Sequence, residues 1–316
     1  MKTLKTIIVL LTVVFVLPCC TAQQTTVKKN EKNIGLQLYS LREEIGKNSE
    51  NIDEVISRAG KMGYKYVEAA NYADGKFYGL SPEEFKAKLA ANGMYALSSH
   101  TGKSLAPDIS KTNWDEVWAW WNQCITDHKA AGMKYVITPS MPQPETLEGL
   151  QAYCDYYNKI GEKCAAAGLK FGYHNHAYEF EKRYFSKDTV TVVNPDGALR
   201  PPRPNIVMYD YMVENTDPSK VFFEMDVYWT VMGRRSPVEL FKKYQGRFLV
   251  LHIKDDKELG ESGMVGFDAI FRNIATAGTK YLIVEVEKYD LPHFESVQVS
   301  LDFLNNAGFV KDNYSE

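Results

Sequence analysis

Cysteine, histidine and net charge are all scarce in this chain, and each scarcity narrows what it can do. Five cysteines occur in 316 residues, and two of them, Cys19 and Cys20, lie at the N-terminus. The remaining three, Cys124, Cys154 and Cys164, cannot pair completely, and none has zinc-knuckle spacing. Cys154 and Cys164 share one helical stretch ten residues apart, too far to bridge, so buried free thiols are expected. A net charge of −3 offers no electrostatic pull on nucleic acid. No G-x-G-x-x-G follows the first strand candidate, which removes the usual dinucleotide-binding case. Beyond the first twenty residues no run is long and apolar enough to span a bilayer. What is present is 45% hydrophobic and 24% charged residues, the composition of an ordinary folded protein. The length suits a single barrel domain.

The N-terminus has its own character. Lys2 and Lys5 precede an apolar run from Ile7 to Leu17 that only Thr12 interrupts. A basic start followed by an apolar stretch too short to span a membrane reads as an export signal. It ends in Leu17-Pro18-Cys19-Cys20, similar to a bacterial lipobox with Cys20 as the acylated residue, although Pro18 departs from the usual small residues. Cleavage after Ala22 by an ordinary signal peptidase is the alternative. Residues 23–33 are polar and suit a flexible tether. The expected location is therefore the periplasm or cell envelope, with membrane contact only through a lipid anchor.

From residue 34 onward, short β-branched or aromatic runs alternate with amphipathic segments. Strands are predicted at 34–39, 64–69, 95–100, 135–138, 170–174, 221–227, 248–253 and 281–286. They are apolar nearly throughout, as parallel strands buried on both faces must be. Five segments close on a glycine that leads into the next strand: KMG, ANG, AAG, AAG and TAG, ending at Gly63, Gly93, Gly132, Gly168 and Gly278. A glycine just past a helix closes it in the left-handed conformation at little steric cost. Ser81-Pro82-Glu83-Glu84 reads as a helix start. Eight βα units without a break predict an α/β fold, a single-domain (β/α)8 TIM barrel. One insertion, about 181–205, follows the fifth strand and carries Asn194-Pro195-Asp196-Gly197 and Pro201-Pro202. It is expected to wall or cover the pocket.

Polar side chains at the C-terminal ends of barrel strands are misplaced for packing and suited to a site. The last four strands end in His174-Asn175-His176, Glu224-Met225-Asp226, His252-Ile253-Lys254-Asp255 and Glu285-Val286-Glu287. Spacing of two puts each pair on one face of its strand. Such a ring of carboxylates and imidazoles repels itself unless a cation sits among them. Mixed N/O ligation suits one divalent metal ion, Mn, Mg, Zn or Co. Asp255 reads as a cap for the following loop, Glu68 and His100 as polar rim, and His128 and His293 as surface residues.

At these residues the sequence resembles the sugar phosphate isomerase/epimerase family of xylose isomerase-like barrels. The resemblance runs from about residue 33 to the end and rests on GYHNHAYEF (172–180), FFEMDVYW (222–229), LHIKD (251–255) and LIVEVE (282–287). It implies metal ligation by Asp226, His252 and Glu285. Many relatives have a Glu at the end of the fifth strand, where this chain has His174-Asn175-His176, so Glu179 is the expected fourth ligand, with His176 as competitor. The implied activity is isomerisation or epimerisation by removing a proton next to a metal-bound carbonyl, with His174, His176 and Glu285 as candidate bases. Lys254 would stabilise oxyanion charge. Tyr39, Glu68, His100, Glu224, Trp229 and Glu287 are expected to contact the substrate, and Tyr228 is a further aromatic near the mouth. The export signal points to a small-molecule carbohydrate such as a free sugar, keto-sugar or glycoside, and away from a phosphorylated one. Expulsion of a β-substituent would make a keto-glycoside lyase or dehydratase. A non-catalytic carbohydrate-binding lipoprotein is the rival from another class, and an endonuclease IV-type repair enzyme is disfavoured by the charge.

Overall fold

A computed structural model describes residues 31–183 and 206–315, together with the short pairing of 192–193 with 199–200. The expected export signal with Cys20, and most of the expected tether and insertion, lie outside the described residues.

The eight predicted strands all form: β1 Gly35–Gln37, β2 Tyr66–Ala69, β3 Tyr95–Ser99, β4 Tyr135–Thr138, β5 Lys170–His174, β6 Val221–Asp226, β7 Val250–Ile253 and β8 Tyr281–Val284. They make one parallel sheet in the order β3-β2-β1-β8-β7-β6-β5-β4. The sheet curls shut where β3 meets β4. There Thr101 N donates to Ile137 O at 2.9 Å and Lys134 N to Leu97 O at 2.9 Å.

Burial follows the pattern of the sequence. In the helix Ile52–Met62, Ile52, Val55, Ile56 and Ala59 form one buried stripe. Ser81 and Glu84 make a reciprocal capping box at the start of Pro82–Ala91. All five helix-ending glycines have positive φ, from 73° at Gly93 to 110° at Gly63. The three described body cysteines are free and buried, as expected. Among the described residues no helix is long and apolar enough to cross a membrane.

Two apolar layers result. The larger lies between the strands and the surrounding helices. The smaller fills the lower barrel and includes Tyr66, Leu97, Phe222, Val250, Tyr281 and Ile283. Its bulk requires small neighbours: a Cβ on Gly172 would lie 2.5 Å from the Phe222 ring, and one on Gly35 2.2 Å from that of Tyr66. Strand alternation then dictates what stands above this layer. Two residues beyond Tyr66, Phe222, Val250 and Ile283 come Glu68, Glu224, His252 and Glu285.

His128 is a correction. It is fully buried, because it continues the inward stripe Val117, Trp121, Cys124 of the helix Trp114–Ala130. Ser99 Oγ lies 2.6 Å from its Nε2, and its Nδ1 lies 2.6 Å from the Cys124 carbonyl oxygen. His293 is partly buried at the start of the last helix, 2.9 Å from Glu44.

Candidate functional site

The polar strand ends meet above the apolar floor. Register brings them into line: Glu224 pairs with His174 on β5, and Asp226 with His252 on β7. Ligand-type atoms of His174, Asp226, His252 and Glu285 all lie within 4.8 Å of one another, and all four residues are buried. A second overlapping group, deeper in the barrel, joins His174 and His252 to His100 and Glu224.

Asp226 is held by local structure. It is the N-cap of the helix Val227–Met232, and its Oδ1 accepts the Trp229 backbone N–H at 2.8 Å. Its Oδ2 is buried with no hydrogen-bond partner. Burial pushes this carboxyl up to about 8, and the nearby Glu285 charge adds to the effect. Glu285 itself is held well below the usual carboxylate range, because the Lys254 charge and the His252 contact outweigh its burial.

His252 spans two levels: Nδ1 lies 3.2 Å from Glu285 Oε2, and Nε2 lies 2.8 Å from Glu68 Oε1. Glu68, expected at the rim, instead belongs to the buried layer, whereas His100 is only partly buried and also borders the cavity. Glu68 is fully enclosed and accepts from Gln37 Nε2 at 2.7 Å and Ser98 Oγ at 2.6 Å. His100 Nε2 bridges Glu68 at 2.9 Å and Glu224 at 2.7 Å. Burial opposes its charge, but the two carboxylates raise its pKa to about 10. Gln37 and Ser98 were not singled out in the sequence. Ser98 reaches Glu68 because the β2–β3 register slips between Val67 and Glu68, leaving Leu97 as an extra residue on β3.

Glu179 lies apart. The chain turns into a 3-10 helix at Tyr178–Phe180, and the Glu179 carboxylate accepts from the Tyr173 hydroxyl at 2.8 Å and the His176 backbone N–H at 2.9 Å. Burial pushes it up to about 7. The structure thus brings His174, and neither Glu179 nor His176, to Asp226, His252 and Glu285.

Above the cluster opens a cavity of about 250 Å³ whose lining includes Tyr39, His100, His174, His176, Glu285 and Glu287. That is just under the range of about 300–1,000 Å³ common for ligand pockets, and it suits a small ligand. Lys254 Nζ is buried and paired with Glu287 at 2.8 Å, and it lies 5.7 Å from the centre of the Trp229 ring. The His176 ring is 5.9 Å from that of Trp229, and its buried Nδ1 has no partner. Burial lowers the His176 pKa, which favours the neutral ring. Tyr39 stands exposed on the rim, with Arg42 stacked on its ring at 4.5 Å. Tyr228 is buried, and its hydroxyl donates to Asp256 at 2.9 Å. Asp255 caps its loop as expected, accepting the Asp256 and Gly260 backbone N–H groups.

Comparison with known proteins agrees with this fold. Two crystal structures of sugar phosphate isomerase/epimerases from Parabacteroides distasonis ATCC 8503 superpose on the chain. One has TM-score 0.78 and 32% identity, covering 89% of this chain and 98% of its own. The other has TM-score 0.76 and 35% identity, covering 89% and 100%. An inosose dehydratase of Geobacillus kaustophilus (strain HTA426) is 25% identical over 220 residues, which span 64% of this chain and 61% of the dehydratase. The profile of xylose isomerase-like TIM barrels matches residues 56–307, and the chain belongs to that family.

Proposed function

We propose that the chain is a metal-dependent sugar isomerase or epimerase acting on a free sugar, keto-sugar or glycoside. The observation that carries this reading is the buried Asp226 Oδ2. A carboxylate oxygen with no donor, inside a cluster of two imidazoles and two carboxylates, is costly unless a cation meets it. The donor set of His174, Asp226, His252 and Glu285 fits a divalent ion of N/O preference such as Mn, Mg, Zn or Co. Held there, such an ion supplies Lewis-acid polarisation of a carbonyl.

The chain's own groups supply the rest. His176 borders the cavity as a neutral imidazole with an unpartnered Nδ1, and is suited to take a proton from the carbon beside the carbonyl. Lys254 keeps a positive charge close to the cluster, where it offsets negative charge gathering on oxygen. Tyr39 and Trp229 offer ring faces to a sugar.

The dehydratase relative favours a second reading on the same groups, in which loss of a β-substituent follows proton removal. Export and acylation at Cys20 remain part of the proposal and would keep the enzyme outside the pool of phosphorylated sugars. Metal analysis tests the site. The purified protein should hold one divalent ion per chain, and Asp226→Ala and His252→Ala should lose it. Unchanged metal content in both variants would refute the assignment.

A further inference from the structure

The mechanism uses Asp226, Glu285 and the two imidazoles, yet two further carboxylates are buried directly beneath them. Glu68 and Glu224 are fully enclosed and absent from the cavity wall, so neither is placed to touch a substrate. Their partners are imidazole nitrogens. Glu68 Oε1 lies 2.8 Å from His252 Nε2, and Glu224 Oε2 lies 3.1 Å from His174 Nδ1. A histidine that ligates a metal through one nitrogen must direct its other N–H somewhere, and a carboxylate there fixes both tautomer and ring orientation.

We propose that Glu68 and Glu224 are positioning residues that take an N–H from His252 and His174 respectively, so that His252 offers Nδ1 and His174 offers Nε2 to a divalent ion. The assignment rests on the metal site proposed above and adds its tautomers. The geometry supports it at three points. His252 Nδ1 is already on the side of Glu285, 3.2 Å from Oε2, a spacing at which both atoms can share one ion. Glu68 cannot turn away, because Gln37 and Ser98 donate to its two oxygens. His100 Nε2 stands between the two carboxylates, hydrogen-bonded to Glu224 and 2.9 Å from Glu68. Leucine at Glu68 or Glu224 leaves no acceptor for the imidazole N–H, whereas glutamine would keep one amide oxygen there.

The test measures metal affinity directly, by competing a chromophoric chelator for Zn²⁺ and Co²⁺ with wild type, Glu68→Leu and Glu224→Leu. Each variant should bind about 10–100-fold more weakly and show an altered Co²⁺ visible spectrum. Asp108→Asn, on an exposed turn, should bind as wild type does. A purely structural role would lower the melting temperature without moving the metal Kd of the folded protein. Affinities equal to wild type would overturn the assignment while leaving the metal site standing. A wild-type protein that binds neither ion would overturn both. Should the variants fail to fold, 15N-histidine NMR of the Zn²⁺-loaded wild type decides instead. His252 protonated at Nε2 and ligated at Nδ1 supports the assignment, and the reverse tautomer refutes it.

Discussion

His128 gives a stability prediction whose size follows from the structure. Its imidazole is fully enclosed between the helix Trp114–Ala130 and β3, near the Phe77 and Tyr72 rings. Burial lowers its pKa from 6.5 to about 4. The unfolded chain therefore takes up this proton before the folded one. The stability that the neutral ring contributes is fully present above pH 6.5 and is lost as pH falls through 4. At about 1.36 kcal/mol per pKa unit, the 2.5-unit gap is worth roughly 3 kcal/mol below pH 4 and about 2 kcal/mol at pH 5. His128→Asn keeps a donor for the Cys124 carbonyl and does not titrate. It should be less stable than wild type at pH 8, and the difference should shrink by about 2 kcal/mol at pH 5. Urea unfolding at a series of pH values measures this. A difference that stays constant from pH 8 to 4.5 would refute the buried-neutral assignment.

Other outcomes follow from packing and from the cavity. Gly172→Ala should cost about 1–3 kcal/mol in urea unfolding, because the new methyl meets the Phe222 ring, and Phe222→Leu in the same chain should recover part of the loss. His176→Gln should slow proton exchange into substrate by about 10²–10⁴-fold while leaving metal content unchanged, as a proton acceptor outside the ligand group would. Glu179→Gln should flatten the loss of stability that wild type shows as pH rises from 4.5 through about 7, since the buried Glu179 is held protonated and resists ionising.

The barrel was legible because its signals are local. Five glycines marked where helices stop, and the alternation of Phe222, Glu224 and Asp226 or of Val250, His252 and Lys254 showed where apolar packing gives way to chemistry. Long-range geometry was less legible. The fourth member of the cluster follows from phase: Gly172 faces the barrel interior, so His174, two residues on, must face it too, while Glu179 lies beyond the turn that ends the strand. Glu68 looked like rim because nothing local shows that β3 slips one residue against β2 to place Ser98 beside it. His128 followed the i, i+4 and i+7 stripe of Val117, Trp121 and Cys124 and was readable as buried, but its polarity suggested surface.

Proton transfer that depends on the metal is the core of the proposed function. The direct measurement is deuterium uptake from D₂O into a panel of free sugars, keto-sugars and glycosides, comparing the protein loaded with a divalent ion, the same protein after chelation, and Asp226→Ala. Deuterium is expected at the carbon beside the carbonyl of at least one compound, and should be lost on chelation and in the variant. Uptake that persists undiminished after chelation, or a metal-loaded protein that exchanges no compound in the panel, would contradict it.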